Sequence, residues 1–364
     1  MNKIAVVVDN LERGGIANAV KGFFKAVMDA NKTIVFDFIT YEYPNKEIEN
    51  YYHKFGCGIF VIKSVSKQGV IRYTKSIKEI LLQHGPYVAV HIHTAYFIWL
   101  AARMAKKVGI KHIIGHAHGA APRKNKMIYD FLATVGRALN RKYCTKMFAC
   151  SEPSGKWTFG KGYTFLPNVV DITKFSTVSS NDYFSEFDIP KSYKVIGYLG
   201  VFEREKNTSF LVDIMKTYDE QDQVICVIAG AGSLFDEVKT KIVGDGQQKK
   251  VKLIGYRFDV IELLNFFDVL VAPSFSEGMS LTLLEAQLSG IHCIVSANIP
   301  VTNDLKLGLY HPVLEYNPLL WKQEIDKYVG NRINLSMDDR VYALKSIAYD
   351  SESIGTQLVK AYLD

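Results

Sequence analysis

What most constrains this chain is a repeating alternation. Short runs of Val, Ile, Leu and Phe are separated by stretches whose apolar residues recur every three to four positions. Residues 3–8, 34–40, 59–62, 88–92, 112–115, 146–150 and 163–166 have strand character, and residues 16–28, 70–83, 96–108 and 126–143 have the helical period. A strand covered on both faces reads as a continuous apolar run, so this order predicts an α/β fold built on a parallel sheet. The period breaks at 166–171, LPNVVD, and a polar, serine-containing segment runs on to Pro190. The alternation then restarts, with a strand at 194–199, a helix at 208–218 and strands at 225–229 and 269–272. A chain of 364 residues is about two domains' worth. The expectation is two αβ units of similar size facing across a cleft, over residues 1–170 and 171–350. Ligands of such sheets bind beyond the carboxyl ends of the strands.

One such end stands out. The apolar run 269–272 leads into residues 276–290, SEGMSLTLLEAQLSG. Ser280 is a helix N-cap residue and Gly290 a stop, so the stretch reads as strand, tight turn and helix. The N–H groups of Gly278, Met279, Ser280 and Leu281 have no partner within that helix and lie at the positive end of its dipole, a setting that suits a diphosphate. Glu285 rises one turn on from Leu281, and Glu277 lies in the turn itself. Two carboxylates beside an anion site serve phosphate poorly, but they can accept bonds from the hydroxyl groups of a nucleotide sugar. Two glutamates at this spacing are common on solvated helices. The glycine after Glu277, the apolar strand before it and the stop at Gly290 favour function.

Glu277 and Glu285 with seven residues between them, in the setting S-E-G-x-x-L-x-x-L-E-A, resemble the signature of the GT4-type retaining glycosyltransferases. More narrowly, the chain is similar to bacterial enzymes that assemble capsule and exopolysaccharide repeat units. The resemblance implies the GT-B fold, two Rossmann-like domains, with residues 351–364 crossing back as a helix onto the N-terminal one. Pro167-Asn168-Val169-Val170-Asp171 resembles the P-N-G-[IV]-D of that family, with Val169 in place of glycine.

Other loops follow the same logic. Gly14-Gly15 opens the helix at 16–28 and lets backbone approach a ligand; the pair is not a GxGxxG fingerprint. A glycine pair before a helix is often only a tight turn, but the resemblance implies contact with the donor phosphates. After the strand at 194–199 comes Gly200-Val201-Phe202-Glu203-Arg204-Glu205-Lys206. The family places an arginine and a lysine five apart there to clasp the diphosphate. Lys206 fits, whereas Val201 occupies the arginine position. Three readings stay open: Arg204 compensates, the donor is held differently, or the protein is a weak or inactive relative. Gly230-Ala231-Gly232 is either a ligand turn or a plain strand-to-helix turn. The resemblance places the nucleobase near Tyr256 and Arg257, held mainly by backbone after Gly255.

His116-Ala117-His118-Gly119 falls at a strand end, and His91 and His93 alternate in the same way. A four-histidine metal site needs compatible ligand spacing, but no carboxylate or cysteine joins these residues, and strand alternation alone produces His-x-His. No metal ligand is therefore assigned. The resemblance points to His118, before Gly119, as the residue beside the transferred sugar, with Ser151-Glu152 opening the next site loop.

Charge separates the halves. Residues 1–170 hold 25 Lys and Arg against 10 Asp and Glu, a net +15, and residues 171–364 hold 19 against 27, a net −8, which together give the +7 of the chain. Basic clusters at Lys106-Lys107, Arg123-Lys124-Asn125-Lys126 and 137–142 lack the aromatic interleaving of a nucleic-acid platform, so nucleic acid is not expected. An anionic membrane surface fits better, at about 1 kcal/mol per basic residue. The five cysteines are scattered without a CxxC pair, as in a reducing compartment. Met1-Asn2-Lys3 runs directly into a strand rather than a leader. The apolar stretch 87–105 contains His91, His93 and Arg103 and changes period near Tyr96, so it reads as strand then helix. The expected location is cytoplasmic, peripheral to the inner face of the plasma membrane.

The resemblance implies a mechanism: a retaining transfer from a nucleotide sugar, with uracil the favoured base, to a lipid-diphosphate-linked saccharide. Lys206 and the helix N–H groups would stabilise the leaving diphosphate, Glu285 would bind the ribose and Glu277 the sugar hydroxyls. His118 would orient the sugar, and the leaving phosphate would deprotonate the acceptor. No cofactor or metal is expected, and the chain holds no Asp-x-Asp. The alternatives are a nucleotide-sugar epimerase of the same fold, or a catalytically weak partner subunit, which Val201 motivates.

Overall fold

The computed structural model describes residues 2–12, 14–94, 97–119, 126–175 and 181–364, the side chains of 126–133 excepted. It divides into two compact units, Met1–Val170 with Ala348–Asp364, and Asp171–Ile347.

The first unit contains strands β1 (Asn2–Val7), β2 (Ile34–Thr40), β3 (Gly58–Val61), β4 (Ala89–Ile92), β5 (His112–Ala117), β6 (Lys146–Ala149) and β7 (Thr164–Phe165). They form one parallel sheet in the order β3-β2-β1-β4-β5-β6-β7. The helices are α1 (Gly15–Ala30), α2 (Lys46–His53), α3 (Val65–Gln83), α4 (Ile98–Lys107), α5 (Lys126–Tyr143) and α6 (Glu152–Thr158). One face of the sheet is covered by α1 and the C-terminal helix Ser351–Leu363, through Val20, Phe23, Phe24, Ile354, Leu358 and Tyr362. The other face is covered by α3 and α4, through Tyr73, Ile77, Ile98 and Ala102. Each such large apolar side chain contributes roughly 1.5–3 kcal/mol by leaving water. The C-terminal helix lies on α1 at backbone distance: a Cβ on Gly355 would stand 2.4 Å from the carbonyl oxygen of Ala26.

Several element boundaries differ from the periodicity. The helix expected at 70–83 begins at Val65 and bends at Gly69, whose φ of 76° interrupts it. The apolar stretch 87–105 resolves into β4 and then α4; Tyr96 lies outside the described residues. α2 adds a helix to the expected set; its stretch is polar on average, with Tyr52 its one buried residue. No helix among the described residues is long and apolar enough to cross a membrane.

The second unit contains β8 (Lys194–Leu199), β9 (Val224–Ala229), β10 (Val251–Gly255), β11 (Val269–Ala272), β12 (His292–Ser296) and β13 (Tyr310–Val313), a parallel sheet in the order β10-β9-β8-β11-β12-β13. Its helices are α7 (Tyr183–Glu186), α8 (Phe210–Met215), α9 (Phe235–Gly244), α10 (Val260–Phe266), α11 (Leu281–Leu288), α12 (Pro318–Tyr328) and α13 (Met337–Ser346). The expected helix 208–218 is the shorter α8. Both units are therefore parallel-sheet, Rossmann-like structures.

Candidate functional site

In the second unit the strand order reverses between β8 and its neighbour β11. Chains leaving the carboxyl ends of two such strands diverge and leave a crevice, the usual ligand position in open α/β sheets. The loop after β8 carries Lys206, in the 3-10 turn Arg204–Lys206, and the loop after β11 carries Glu277. The backbone ties the two loops together, since Phe275 N–H donates to the Glu205 carbonyl at 2.7 Å. Lys206 Nζ meets Glu277 Oε1 at 2.5 Å, and Ser274 Oγ donates to the same oxygen at 2.9 Å. Two predicted site residues 71 positions apart are thus one ion pair, most of it withdrawn from solvent.

α11 follows as its sequence predicts. Ser280 is the N-cap, its hydroxyl accepting from Leu283 N–H, and Gly290 at φ 78° closes the far end. The expected row of four open N–H groups needs correction. Ser280 N–H donates to Oδ1 of the fully buried Asn303 at 2.6 Å, so it is spent inside the protein. Asn303 Nδ2 donates to the carbonyls of Gly278 (3.1 Å) and Pro300 (3.0 Å), which pins the turn on both sides. Gln287 extends the latch, donating to the Asn303 carbonyl at 2.7 Å and accepting from Leu305 N–H at 2.9 Å. The N–H groups of Gly278 and Leu281 make no hydrogen bond to another described residue. The side chain of Met279 is buried beneath the turn.

Glu285 is buried, and Lys174 Nζ lies 3.4 Å from its Oε1. Burial raises its carboxyl above the usual range, Lys174 opposes that shift and Asp171 adds to it. Sequence reasoning missed Lys174 and Asn303. Neither lies in a recognisable pattern, and both reach the site from more than fifteen positions away.

The remaining donor-side expectations fall out unevenly. Arg204 is exposed and makes no ion pair with a described residue. Val201, at the expected arginine position, is 42 % exposed. Tyr256 is exposed, edge-on to the more exposed Phe258 at 4.9 Å. Arg257 is not free to reach a base with its side chain. Its guanidinium donates to Asp259 (2.9 and 2.5 Å) and Glu186 (2.6 Å) and lies over Tyr183 and Phe187. The Gly230–Gly232 turn is explained by packing. A Cβ on Gly230 would stand 1.8 Å from the Gly200 carbonyl, and one on Gly232 would stand 2.6 Å from Phe202 backbone, while Phe202 N–H donates to Ala231. These glycines brace the loop that bears Val201.

In the first unit the corresponding reversal lies between β1 and β4. Gly14 and Gly15 follow β1, exposed, with open space where a Cβ would stand; Gly14 has φ 91°. Arg13 beside them lies outside the described residues. His93 and His118 follow β4 and β5, with His93 Nδ1 2.8 Å from His118 Nε2. Behind them Tyr362 Oη lies 2.8 Å from His91 Nδ1, and His91 Nε2 lies 3.3 Å from His116 Nδ1. Burial holds all four rings below the ordinary histidine range, His118 down to about 4. His91, His93 and His116 present ligand atoms within 4.8 Å of one another, so geometry alone would admit a metal ion. The set supplies no carboxylate or thiolate to offset a dication in an apolar core.

Part of the basic patch has structural work. Arg137, Asn140 and Arg141 donate to the carbonyls of Trp157 (3.1 Å), Thr158 (3.0 Å) and Phe159 (2.6 Å), which caps the end of α6. Arg123, Lys124 and Asn125 lie outside the described residues, as does the side chain of Lys126.

Residues 179–305, which contain Lys206, Glu277, Glu285 and Asn303, match the family model "Glycosyl transferases group 1". Over 337 residues the chain is 28 % identical to the Bacillus subtilis protein named "Putative glycosyltransferase EpsF", covering 89 % of this chain and 86 % of that one. It is 27 % identical over 285 residues to the Escherichia coli UDP-Gal:alpha-D-GlcNAc-diphosphoundecaprenol alpha-1,3-galactosyltransferase, covering 73 % and 70 %. Anabaena HepE, solved with UDP and glucose, has a similar fold, with TM-score 0.76, 99 % of both chains covered and 15 % identity.

Proposed function

Because residues 179–305 of this chain carry a Glycosyl transferases group 1 domain, we propose that the protein transfers a sugar from a UDP-linked donor to a saccharide held on a lipid diphosphate. The transfer retains configuration at the anomeric carbon and needs no metal ion. The observation that carries this reading is the Lys206–Glu277 pair at the amino end of α11.

A cation and a carboxylate that hold each other can exchange partners when donor binds. Lys206 turns to the diphosphate, and Glu277, still held by Ser274, accepts from the sugar hydroxyls. The N–H groups of Gly278 and Leu281 supply fixed donors for the charge that develops on the leaving phosphate, a stabilisation that needs no reorganisation during reaction. Glu285 takes the ribose hydroxyls. His118 is assigned to the sugar on the family resemblance alone. The leaving phosphate oxygen takes the acceptor hydroxyl's proton as the glycosidic bond forms on the same face. The E. coli relative, whose name specifies a lipid-diphosphate acceptor, supports that choice here. The net +15 of residues 1–170 supports a position at the cytoplasmic membrane surface.

The test is release of nucleoside diphosphate from UDP-sugars with and without acceptor. A charge-assisted bond to phosphate contributes roughly 1.5–3 kcal/mol, so Lys206→Ala lowers kcat/KM by about 10- to 150-fold. Unchanged turnover in that variant overturns the reading. The exposed Val201 favours one second reading, a subunit that binds nucleotide without turnover. Tight UDP binding with no release, together with activity gained in Val201→Arg, would establish it.

A further inference from the structure

The four clustered histidines of the first unit do more than fill its core. β4 and β5 are parallel neighbours, and alternation along each strand puts His91, His93, His116 and His118 on the face covered by α1. Phe23 of α1 stacks over the group, with centroid distances of 5.0 Å to His116, 6.0 Å to His93 and 6.3 Å to His118. His116 stacks on His118 at 4.4 Å, and the His118 carbonyl accepts from Cys150 Sγ. Both the ring plane and the backbone of His118 are therefore held.

Each close imidazole pair shares a single proton, because burial keeps the rings neutral. Between His93 Nδ1 and His118 Nε2 the proton can sit on either ring. If His93 donates, both rings are Nδ1–H tautomers. If His118 donates, both are Nε2–H, the form that a neutral histidine prefers without outside help. The hydrogen bond at one ring nitrogen decides the state of the other. The inner pair is linked in the same way: a Tyr362 Oη–H that donates to His91 Nδ1 puts the His91 proton on Nε2, facing His116 Nδ1, and the His116 proton on its own Nε2.

We propose that His93 is a positioning residue that fixes His118 in the Nε2–H tautomer, so that His118 Nδ1 is presented as a hydrogen-bond acceptor for a hydroxyl of the bound sugar. The last clause rests on the function proposed above; the tautomer does not. A site with a fixed acceptor selects a sugar with a hydroxyl at that point and disfavours the deoxy analogue, since the acceptor would lose its partner.

Long-range ¹H–¹⁵N correlation spectra of the full chain labelled at histidine read the tautomer directly. The expected result is a pyridine-type Nδ1 and a pyrrole-type Nε2 for His118. In His93→Leu the signals move toward a tautomer mixture, and in His93→Asn, whose amide oxygen can accept from His118 Nε2, the single form returns. Kinetically, His93→Leu lowers kcat about three- to tenfold with the KM for donor within about twofold, and His93→Asn recovers most of the loss, the scale of one hydrogen bond. A His118 found as Nδ1–H in the unaltered protein, or a tautomer unmoved by His93→Leu, overturns the proposal. A wild-type chain without transferase activity would overturn the function while the spectra still decide the tautomer.

Discussion

Replacing Asn303 with alanine separates two accounts of how the amino end of α11 is used. In the structure Asn303 is wholly buried and makes three bonds, accepting from Ser280 N–H and donating to the Gly278 and Pro300 carbonyls. The alanine variant strands all three backbone groups. At roughly 0.5–1.5 kcal/mol per bond, with water able to reach the half-buried turn, the expected loss is about 2–4 kcal/mol. Urea unfolding followed through Trp321, the buried tryptophan of the second unit, in a background with Trp99 and Trp157 changed to phenylalanine, measures it. With an m-value of roughly 2 kcal/mol/M the midpoint falls by about 1–2 M. Asn303→Asp, which keeps the acceptor for Ser280 but loses both donors, falls in between. UDP affinity decides the functional side. A turn preorganised by Asn303 loses affinity when the latch is cut. If Ser280 N–H were instead meant for phosphate, freeing it would tighten binding. A midpoint shift below about 0.3 M, or tighter UDP binding, refutes the latch.

Three further expectations follow. Burial raises the Glu285 carboxyl in the folded state, so its contribution to stability is fullest at low pH and is lost as pH climbs through the unfolded value near 4.5 to the raised folded one. Glu285→Gln should therefore stabilise the second unit at pH 7 and flatten that pH dependence while donor turnover falls; an unaltered pH profile of unfolding contradicts the burial argument. The histidines of the first unit have lowered folded values, so their stability term is present above pH 6.5 and lost on acidification. Each ring that stays neutral costs about 1.4 kcal/mol per pH unit below that point, and thermal unfolding that is level from pH 7 to 5 would show the rings charging freely. Finally, sedimentation with anionic liposomes should retain the protein at low salt and release it as salt shortens the Debye length from about 10 Å at 0.1 M to 3 Å at 1 M; absent or salt-insensitive binding removes the membrane assignment.

What could be read from the amino-acid order was whatever is encoded locally. Val269–Ala272 is apolar throughout because both faces of β11 are covered, and Ser280 and Gly290 mark the ends of α11 by their own hydrogen bonding and φ. Such signals survive without knowledge of the third dimension. The latch from Asn303, the Lys174–Glu285 pair and the clamp of Arg257 on Glu186 span 23 to 111 positions, and no local pattern announces them. Arg257 shows how a side chain of suitable type at a suitable place can already be committed to structure. Arg137 and Arg141 do the same for the basic patch. The histidines are an intermediate case: alternation predicts a shared face, but the pairing depends on β4 lying beside β5 and on Tyr362, which is 271 positions from His91.

The contact of Gly355 with Ala26 has a consequence for biosynthesis. The first unit is discontinuous in the chain, so when residue 170 has emerged from the ribosome the part of α1 around Ala26 and Ala30, on which Gly355 packs, is still uncovered. The 194 residues that follow take about 10–40 s to translate at 5–20 residues per second. For that interval the cluster that α1 shares with the C-terminal helix lacks Ile354, Leu358 and Tyr362, and nascent chains stalled anywhere in the second unit should be clients for chaperones that shield exposed hydrocarbon.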